Sequence, residues 1–180
     1  ILGGGVIGSE FACLYARMGV QVTLIEMLPQ ILPMVDEDAA RVVRKSMKKM
    51  GIDVLCGTPV SGVTADAKSV AAEVGDRRIE ARAMLVCGGR KAYTGGLKLS
   101  EAGLAVNDRG LLDIDSHCRT SAPGIYAIGD IAGTIQYAHR ASAMGIVAAN
   151  NATGQVDTHS DALVPGCIFT APEIGSVGLT

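Results

Sequence analysis

The glycine run near the start of the chain is the feature that most constrains its fold. The stretch ILGGGVIGSEF places Gly3, Gly5 and Gly8 in a GxGxxG pattern, after strand-like apolar residues and before apolar residues at helical spacing. Gly3 allows a tight turn, Gly5 lets a pyrophosphate approach the backbone, and Gly8 lets the helix pack closely on the sheet. The free N–H groups and the dipole at the helix start favour phosphate. The pattern predicts a dinucleotide-binding loop.

An acidic residue after this loop indicates which dinucleotide is bound. Glu26 ends the apolar strand VQVTLIE, 18 residues after Gly8. A carboxylate there accepts hydrogen bonds from both ribose hydroxyls and repels a 2′-phosphate. No Lys or Arg occurs between Glu26 and Ala40, and three acids add negative charge there: Asp36, Glu37 and Asp38. NAD(H) is therefore predicted over NADP(H). The alternative interpretation of Glu26 is a solvated acid at a strand end.

The alternation of strand and helix patterns predicts an α/β fold. Residues 1–56 have the order β-α-β-α-β, which is the mononucleotide-binding half of a doubly wound sheet. Short strand patterns over 58–80 predict an antiparallel meander, and residues 81–90 are predicted to form a last apolar strand that ends in glycines. Further on, the sequence predicts strands at 110–115, 124–130 and 167–170, and a helix over 138–154.

A second signature lies in TSAPGIYAIGD, residues 120–130. It resembles the segment of flavoproteins in which a strand ends in Gly-Asp and the aspartate binds the flavin ribitol. Together with GGGVIGSEFACLYARMG, MLVCGGR and FTAPEIGSVGLT it resembles, in order, the pyridine nucleotide–disulfide oxidoreductase family. Within that family the continuation AHRAS is most similar to the dihydrolipoamide dehydrogenase branch.

The resemblance implies positions for both cofactors, NAD and FAD. Glu26 would bind the adenosine ribose, Val60 would flank the adenine, and Gly89 would touch the nicotinamide side. The NAD loop would comprise Gly3, Gly4, Gly5, Val6, Ile7, Gly8, Ser9 and Glu10. The FAD contacts would be Asp130, Gln136, Tyr137, Ala138 and His139. Glu10 would lie beside the flavin, unless it is an ordinary first-turn acid that the helix dipole favours.

The resemblance also implies a domain organisation. Residues 1–90 would form a Rossmann-like NAD-binding domain that includes the meander, with its N-terminal part missing. Residues 91–160 would be the second segment of an FAD-binding domain, and residues 161–180 the start of an α+β dimerisation domain. The family's redox-active CxxxxC pair and first GxGxxG would precede Ile1. The chain is therefore expected to be an internal fragment that is inactive by itself and binds at most NAD(H).

The implied parent is a flavin-dependent dihydrolipoyl dehydrogenase that passes electrons from dihydrolipoamide through a disulfide and FAD to NAD. Its partners would be the lipoyl domains of 2-oxoacid dehydrogenase or glycine cleavage complexes, and it would be a homodimer. The alternatives are another family member (an NADH oxidase, a mercuric reductase or a transhydrogenase) and a non-catalytic NAD-binding module. The missing termini would distinguish among the family members.

Composition excludes several other classes. The net charge is -2 and there is no Trp, so nothing indicates nucleic-acid binding. No apolar run reaches the length of a membrane span and no basic leader begins the chain, so a cytoplasmic location is expected. The five cysteines are too far apart for a CxxC or zinc motif, so no metal site is expected. His117 and His159 belong to no motif and are interpreted as solvated.

Overall fold

The computed structural model describes residues 1–178, which form two compact units. The first unit comprises 1–89 and 166–176, and the second comprises 90–165 with 177–178. The sequence indicates an interface domain over 161–180; this assignment stays a prediction, and its last two residues lie outside the described part. None of the helices within residues 1–178 has the length and apolar character needed to cross a membrane.

A parallel sheet organises the first unit. Strand β1 (Thr23–Glu26) pairs in parallel with β2 (Asp53–Cys56), and Leu2 forms parallel bridges to both Ile25 and Val86. Across the sheet, the bridge at Val86 therefore comes first, followed by Leu2, then β1 and then β2. This is the arrangement of a mononucleotide-binding half. The intervening helices are α1 (Val6–Arg17) and α2 (Glu37–Lys49). The predicted Rossmann-like class is confirmed, although the strand expected over 81–90 is reduced to the bridge at Val86.

The antiparallel meander is also confirmed. Strands β3 (Val60–Ala65), β4 (Val70–Val74) and β5 (Arg77–Ala81) pair in that order. The register shifts between Ser61 and Val63, where Gly62 has a φ of 71°. A residue with positive φ inserted in this way makes a β-bulge. The central strand is the buried one, because its Ala72 and Val74 pack in one cluster with Ile25.

The main core of the first unit lies between the parallel sheet and its helices. Leu24 of β1 and Val43 and Met47 of α2 are fully buried in it. Ala40, Val43 and Met47 are spaced at i, i+3 and i+7, so they line one face of the helix. A hairpin of β6 (Gly166–Ile168) and β7 (Ile174–Ser176) adds Ile168 to the same core.

The second unit is built around helix α3 (Ala138–Ala152). Met144 and Val147 of this helix pack with Leu104, Leu112 and Cys118. Three 3₁₀ turns complete the unit, at Leu99–Ala102, Gly129–Ile131 and Asp161–Leu163. The prediction of regular strands at 110–115 and 124–130 is wrong. Within the described residues they make only isolated contacts, such as the bridge between Arg119 and Tyr126, and no continuous ladder.

We expect Leu24→Ala to lower the free energy of unfolding by about 2–5 kcal/mol, because it leaves a cavity in a close-packed core. Leu24 is 0% exposed. Urea unfolding followed by circular dichroism measures the change. Met34→Ala is the control, since Met34 is 91% exposed. Equal losses in both variants would contradict this account of the core.

Candidate dinucleotide-binding sites

The start of α1 presents unpaired backbone donors. Gly5 is the N-cap residue, and it supplies no side-chain cap. The first helical hydrogen bond runs from the Ser9 N–H to the Gly5 carbonyl at 2.9 Å. Among the described residues, no acceptor meets the N–H groups of Val6, Ile7 and Gly8. The first turn also contains no acidic side chain, so it is suited to an anion.

The three motif glycines differ in what surrounds them. A Cβ on Gly3, whose φ is 99°, would overlap the carbonyl oxygen of Cys87. A Cβ on Gly8 would overlap the carbonyl oxygen of Gly3. A Cβ on Gly5, in contrast, would meet no heavy atom within 4 Å. Packing therefore requires Gly3 and Gly8, whereas the position of a side chain on Gly5 is open, directly before the three residues with unpaired N–H groups.

Glu26 is not a solvated acid. It is 6% exposed, and its carboxylate accepts hydrogen bonds from the N–H groups of Gly4 at 2.6 Å and Leu28 at 2.8 Å. A carboxylate has about four acceptor positions, so two remain for other donors. The side chains of Glu26 and Ile31 both lie 3.0 Å from the position of a Cβ on Gly4. The glycine loop and the acid are thus fixed together.

The other residues assigned to NAD have different surroundings. Ser9 is fully buried and its hydroxyl donates to the Gly4 carbonyl at 2.9 Å, so it supports the loop from inside. Glu10 accepts a hydrogen bond from the Phe169 N–H at 2.8 Å. Val60 begins β3 and Gly89 is exposed with a φ of 113°. Neither makes a hydrogen bond to the loop in the described part of the chain. Their assignment to NAD stays a prediction.

The predicted flavin-binding aspartate lies in the second unit. Asp130 belongs to the 3₁₀ turn after Gly129, whose φ is 73°. Its carboxylate pairs with Arg90 Nη2 at 2.5 Å, and both side chains are partly exposed. No sequence motif assigns Arg90 to a site. The only signal was its place directly after the glycine pair of MLVCGGR.

The remaining FAD positions lead into α3. Half-buried Gln136 precedes Tyr137, which is the N-cap residue without a side-chain cap. The first helical hydrogen bond comes from the Ala141 N–H, so the preceding N–H groups are available. The rings of Tyr137 and His139 stack at 5.2 Å, and His139 Nε2 is 2.8 Å from the Pro165 carbonyl. A carbonyl only accepts, so Nε2 donates, which leaves the backbone of Ala138 and His139 for a ligand.

An ion pair between a buried arginine and an exposed aspartate follows directly. Arg140 is 2% exposed, and its Nε lies 2.6 Å from Asp161 Oδ1. His159 Nε2 lies 2.9 Å from the same oxygen. Hydrogen bonds from Arg140, and secondarily from His159, hold the pKa of Asp161 below its usual value. The interpretation of both histidines as solvated is wrong, because the His159 side chain is 11% exposed and His117 Nδ1 contacts the Asp157 carbonyl at 2.7 Å.

The five cysteines are all free thiols. Cys13 and Cys118 are buried, and burial raises the pKa of Cys118. No cluster of three or more metal-ligating side chains occurs over residues 1–178.

Comparison with known proteins decides the family. Residues 1–145 match the family model described as pyridine nucleotide-disulphide oxidoreductase. The chain belongs to this family. Members of the family use FAD and NAD(H), so the two candidate sites match the cofactors in kind.

Curated relatives and solved structures match over essentially the whole chain. A dihydrolipoyl dehydrogenase of Bacillus subtilis is 40% identical over 100% of this chain and 40% of its own length. One of Haloferax volcanii is 41% identical over 100% and 39%. The crystal structure of LpdA from Mycobacterium tuberculosis has a TM-score of 0.92 at 33% identity, covering 99% of this chain and 39% of that one. The chain therefore spans about two fifths of the length of these relatives.

We expect Asp161 to stabilise the second unit at neutral pH, and we expect this contribution to be lost in acid. The pKa of Asp161 is lowered by folding, so its contribution is present above about pH 4, the unfolded value, and is lost as the pH falls through the folded value. Asp161→Asn should thus destabilise the protein at pH 7, and the difference from wild type should shrink below about pH 4.

Urea unfolding at a series of pH values measures this difference. Asp108→Asn is the control, because Asp108 is exposed and its side chain makes no hydrogen bond in the described region. A difference between Asp161→Asn and wild type that stays the same from pH 7 to pH 3 would contradict the role of the ion pair.

Proposed function

We propose that this chain binds NAD(H) at the start of α1 and supplies part of the FAD site of a dihydrolipoyl dehydrogenase. The observation that carries the proposal is the opening at Gly5. A Cβ there would meet no heavy atom within 4 Å, the next three N–H groups have no acceptor among the described residues, and the carboxylate of Glu26 is bound by the N–H of the adjacent Gly4. Relatives named dihydrolipoyl dehydrogenase at about 40% identity support the activity of the whole enzyme.

Two parts of the NAD site would contact two different parts of the cofactor. The N–H groups of Val6, Ile7 and Gly8, aided by the helix dipole, would hold the pyrophosphate. The two free acceptor positions of Glu26 would receive the ribose hydroxyls. Because Glu26 is bound by two backbone N–H groups, its charge is fixed in place and is not free to turn away from a ligand.

The same geometry favours NAD(H) over NADP(H). A 2′-phosphate beside Glu26 would meet a buried negative charge. The first base after Glu26 is Arg41, and it is engaged by Asp38 at 2.7 Å and Glu37 at 3.5 Å. No guanidinium or ammonium group on the segment 27–40 is therefore available to neutralise a 2′-phosphate.

The FAD site would be formed by Asp130, Arg90 and the start of α3. The bound flavin would carry two electrons between a dithiol and the nicotinamide. Asp130 would accept a ribitol hydroxyl hydrogen bond, and Arg90 would orient the carboxylate while neutralising its charge. The N–H groups at the start of α3 would stabilise negative charge on the flavin ring by the helix dipole.

The proposed role of the chain is narrower than that of the whole enzyme. The sequence contains no CxxxxC pair, so nothing in it would exchange electrons with a dihydrolipoyl group. We infer that the 180 residues alone bind NAD(H) without turning over. The lipoyl-domain partners, the homodimer and the cytoplasmic location are proposed for the whole enzyme. Lipoamide-dependent NADH formation by this chain alone would contradict that division.

A disulfide reductase of another specificity is the second candidate. The flavoprotein disulfide reductase RclA of Escherichia coli is 30% identical to this chain, with a TM-score of 0.91 over 99% of it. The fold of this region is thus shared between relatives with different names. The site residues of this chain would bind cofactors in either candidate enzyme. The thiol content of the whole enzyme would distinguish the two candidates.

We expect Gly5→Ala to weaken NADH binding by about tenfold or more without lowering stability, because the methyl group would occupy the ligand's space and displace hydrogen bonds to a charged group. The backbone of Gly5 has a φ of -66°, which alanine adopts freely. The control is Gly175→Ala, another position where a Cβ meets nothing within 4 Å. NADH fluorescence titration measures affinity, and thermal unfolding measures stability. Unchanged affinity in Gly5→Ala would place the dinucleotide elsewhere.

We expect Glu26→Gln to narrow the preference between NADH and NADPH. The variant loses the charge-assisted hydrogen bonds to ribose, so the NADH affinity should fall about tenfold. The NADPH affinity should fall less, since repulsion of the 2′-phosphate is removed. Glu80→Gln, at an exposed acid of β5, should change neither. A wild-type chain that binds both nucleotides equally would refute the assignment of Glu26.

A further inference from the structure

We propose that Arg140 is a positioning residue of the flavin site, holding the turn that carries Asp130 from its buried side. The inference rests on the proposed FAD site. It concerns a side chain that the cofactor assignment leaves unused. Arg140 is charged yet 2% exposed, which needs an explanation because a buried unpaired charge is strongly destabilising.

The guanidinium group of Arg140 connects three parts of the second unit. Its Nε and Nη2 donate to Asp161 at 2.6 and 3.1 Å. Its Nη1 and Nη2 also point at the carbonyls of Gly129 and Ala132, both at 3.4 Å. These two residues flank Asp130 on either side of the 3₁₀ turn. The planar fork of an arginine makes this simultaneous contact possible.

The turn is packed directly against this group. A Cβ on Gly133 would overlap Nη2 of Arg140, so the chain leaving the turn passes over the guanidinium group. At the other end, a Cβ on Gly129 would lie 3.3 Å from the Cβ of Ala141, the residue after Arg140. The turn is therefore held by the first residues of α3, between two glycines that allow the close approach.

The contacts of Arg140 determine the direction in which the Asp130 side chain projects. Its own carboxylate contacts only Arg90 among the described residues, and that pair is partly exposed. An exposed ion pair fixes a side chain weakly. The buried contacts of Arg140 to the carbonyls around Asp130 fix the backbone from which the carboxylate projects. Asp161 supplies the counter-charge that allows Arg140 to remain buried there.

The first test measures the turn without flavin. The amide of Ala132 donates to Gly129 at 3.0 Å and reports whether the turn is closed. In Arg140→Met its hydrogen exchange should be about tenfold faster, as expected for losing hydrogen bonds to a charged group, whereas the Val147 amide in α3 should be nearly unchanged. The exchange rate of the Ala132 amide in Arg140→Lys should lie between the rates in the wild type and in Arg140→Met. Arg109→Met, at an exposed arginine of the second unit, should have no effect.

A second variant keeps the arginine. Gly133→Ala should open the turn to a similar extent, because the methyl group and the guanidinium group compete for one space. Gly133 is not among the glycines with positive φ, so the backbone tolerates alanine. In the double variant Gly133→Ala with Arg140→Met the effects should not add. Additive effects, or an unchanged Ala132 amide in Arg140→Met, would overturn the proposal. Equal acceleration throughout α3 would indicate a merely structural arginine and would also overturn it.

The second test measures flavin in a full-length protein, made by placing this chain in the matching segment of the Bacillus subtilis relative. Arg140→Met should speed FAD release about tenfold, and Arg140→Lys should restore part of the difference. Unchanged release in Arg140→Met would overturn the link to flavin. If the protein with wild-type Arg140 binds no FAD, the proposed FAD site itself fails, and the exchange test still decides whether Arg140 holds the turn.

Discussion

The close approach of three backbone segments around residues 1–3 is the constraint on which the first unit depends. The N–H of Gly3 donates to Ile25, and Leu2 exchanges hydrogen bonds with Leu85 and Cys87 at 2.7–2.8 Å. A side chain at Gly3 would overlap Cys87, and one at Gly8 would overlap Gly3. Since residues 1–3 lie between two parallel neighbours, the carboxyl ends of the strands meet at one edge. The unpaired N–H groups of α1 and the carboxylate of Glu26 come together there because the sheet is built this closely.

Much of this arrangement could be predicted from the sequence, because it depends on local patterns. The glycine spacing, the acid at the strand end and the hydrophobic periods each need only a short window. The burial of Glu26 could not be predicted, since it depends on the path of the following loop. Leu32, with a φ of 52°, donates to the Gly4 carbonyl and closes that loop over the glycines.

Prediction was weaker in the second unit for a related reason. Its site depends on contacts between distant residues: Arg90 with Asp130, 40 positions apart, and Arg140 with Asp161, 21 positions apart. No spacing rule connects such pairs. The strands expected at 110–115 and 124–130 have strand-like composition. They lack a continuous neighbour within the described residues, and composition does not reveal whether a neighbour exists.

The three α-helices within residues 1–178 differ in whether acidic side chains lie in their first turn. Helix α2 has Asp36 at its N-cap position and Glu37 and Asp38 in its first turn. Its dipole is therefore complemented by its own side chains. Helices α1 and α3 have no acid in the first turn or at the N-cap position. Both follow a glycine-containing turn, and each is assigned a carboxylate, Glu26 at the end of β1 for α1 and Asp130 in the turn before α3. A helix start left without its own anion is expected where an anionic ligand supplies the charge. Because α2 in the same chain does carry such acids, overall composition does not explain why α1 and α3 lack them. The contrast favours two dinucleotide sites.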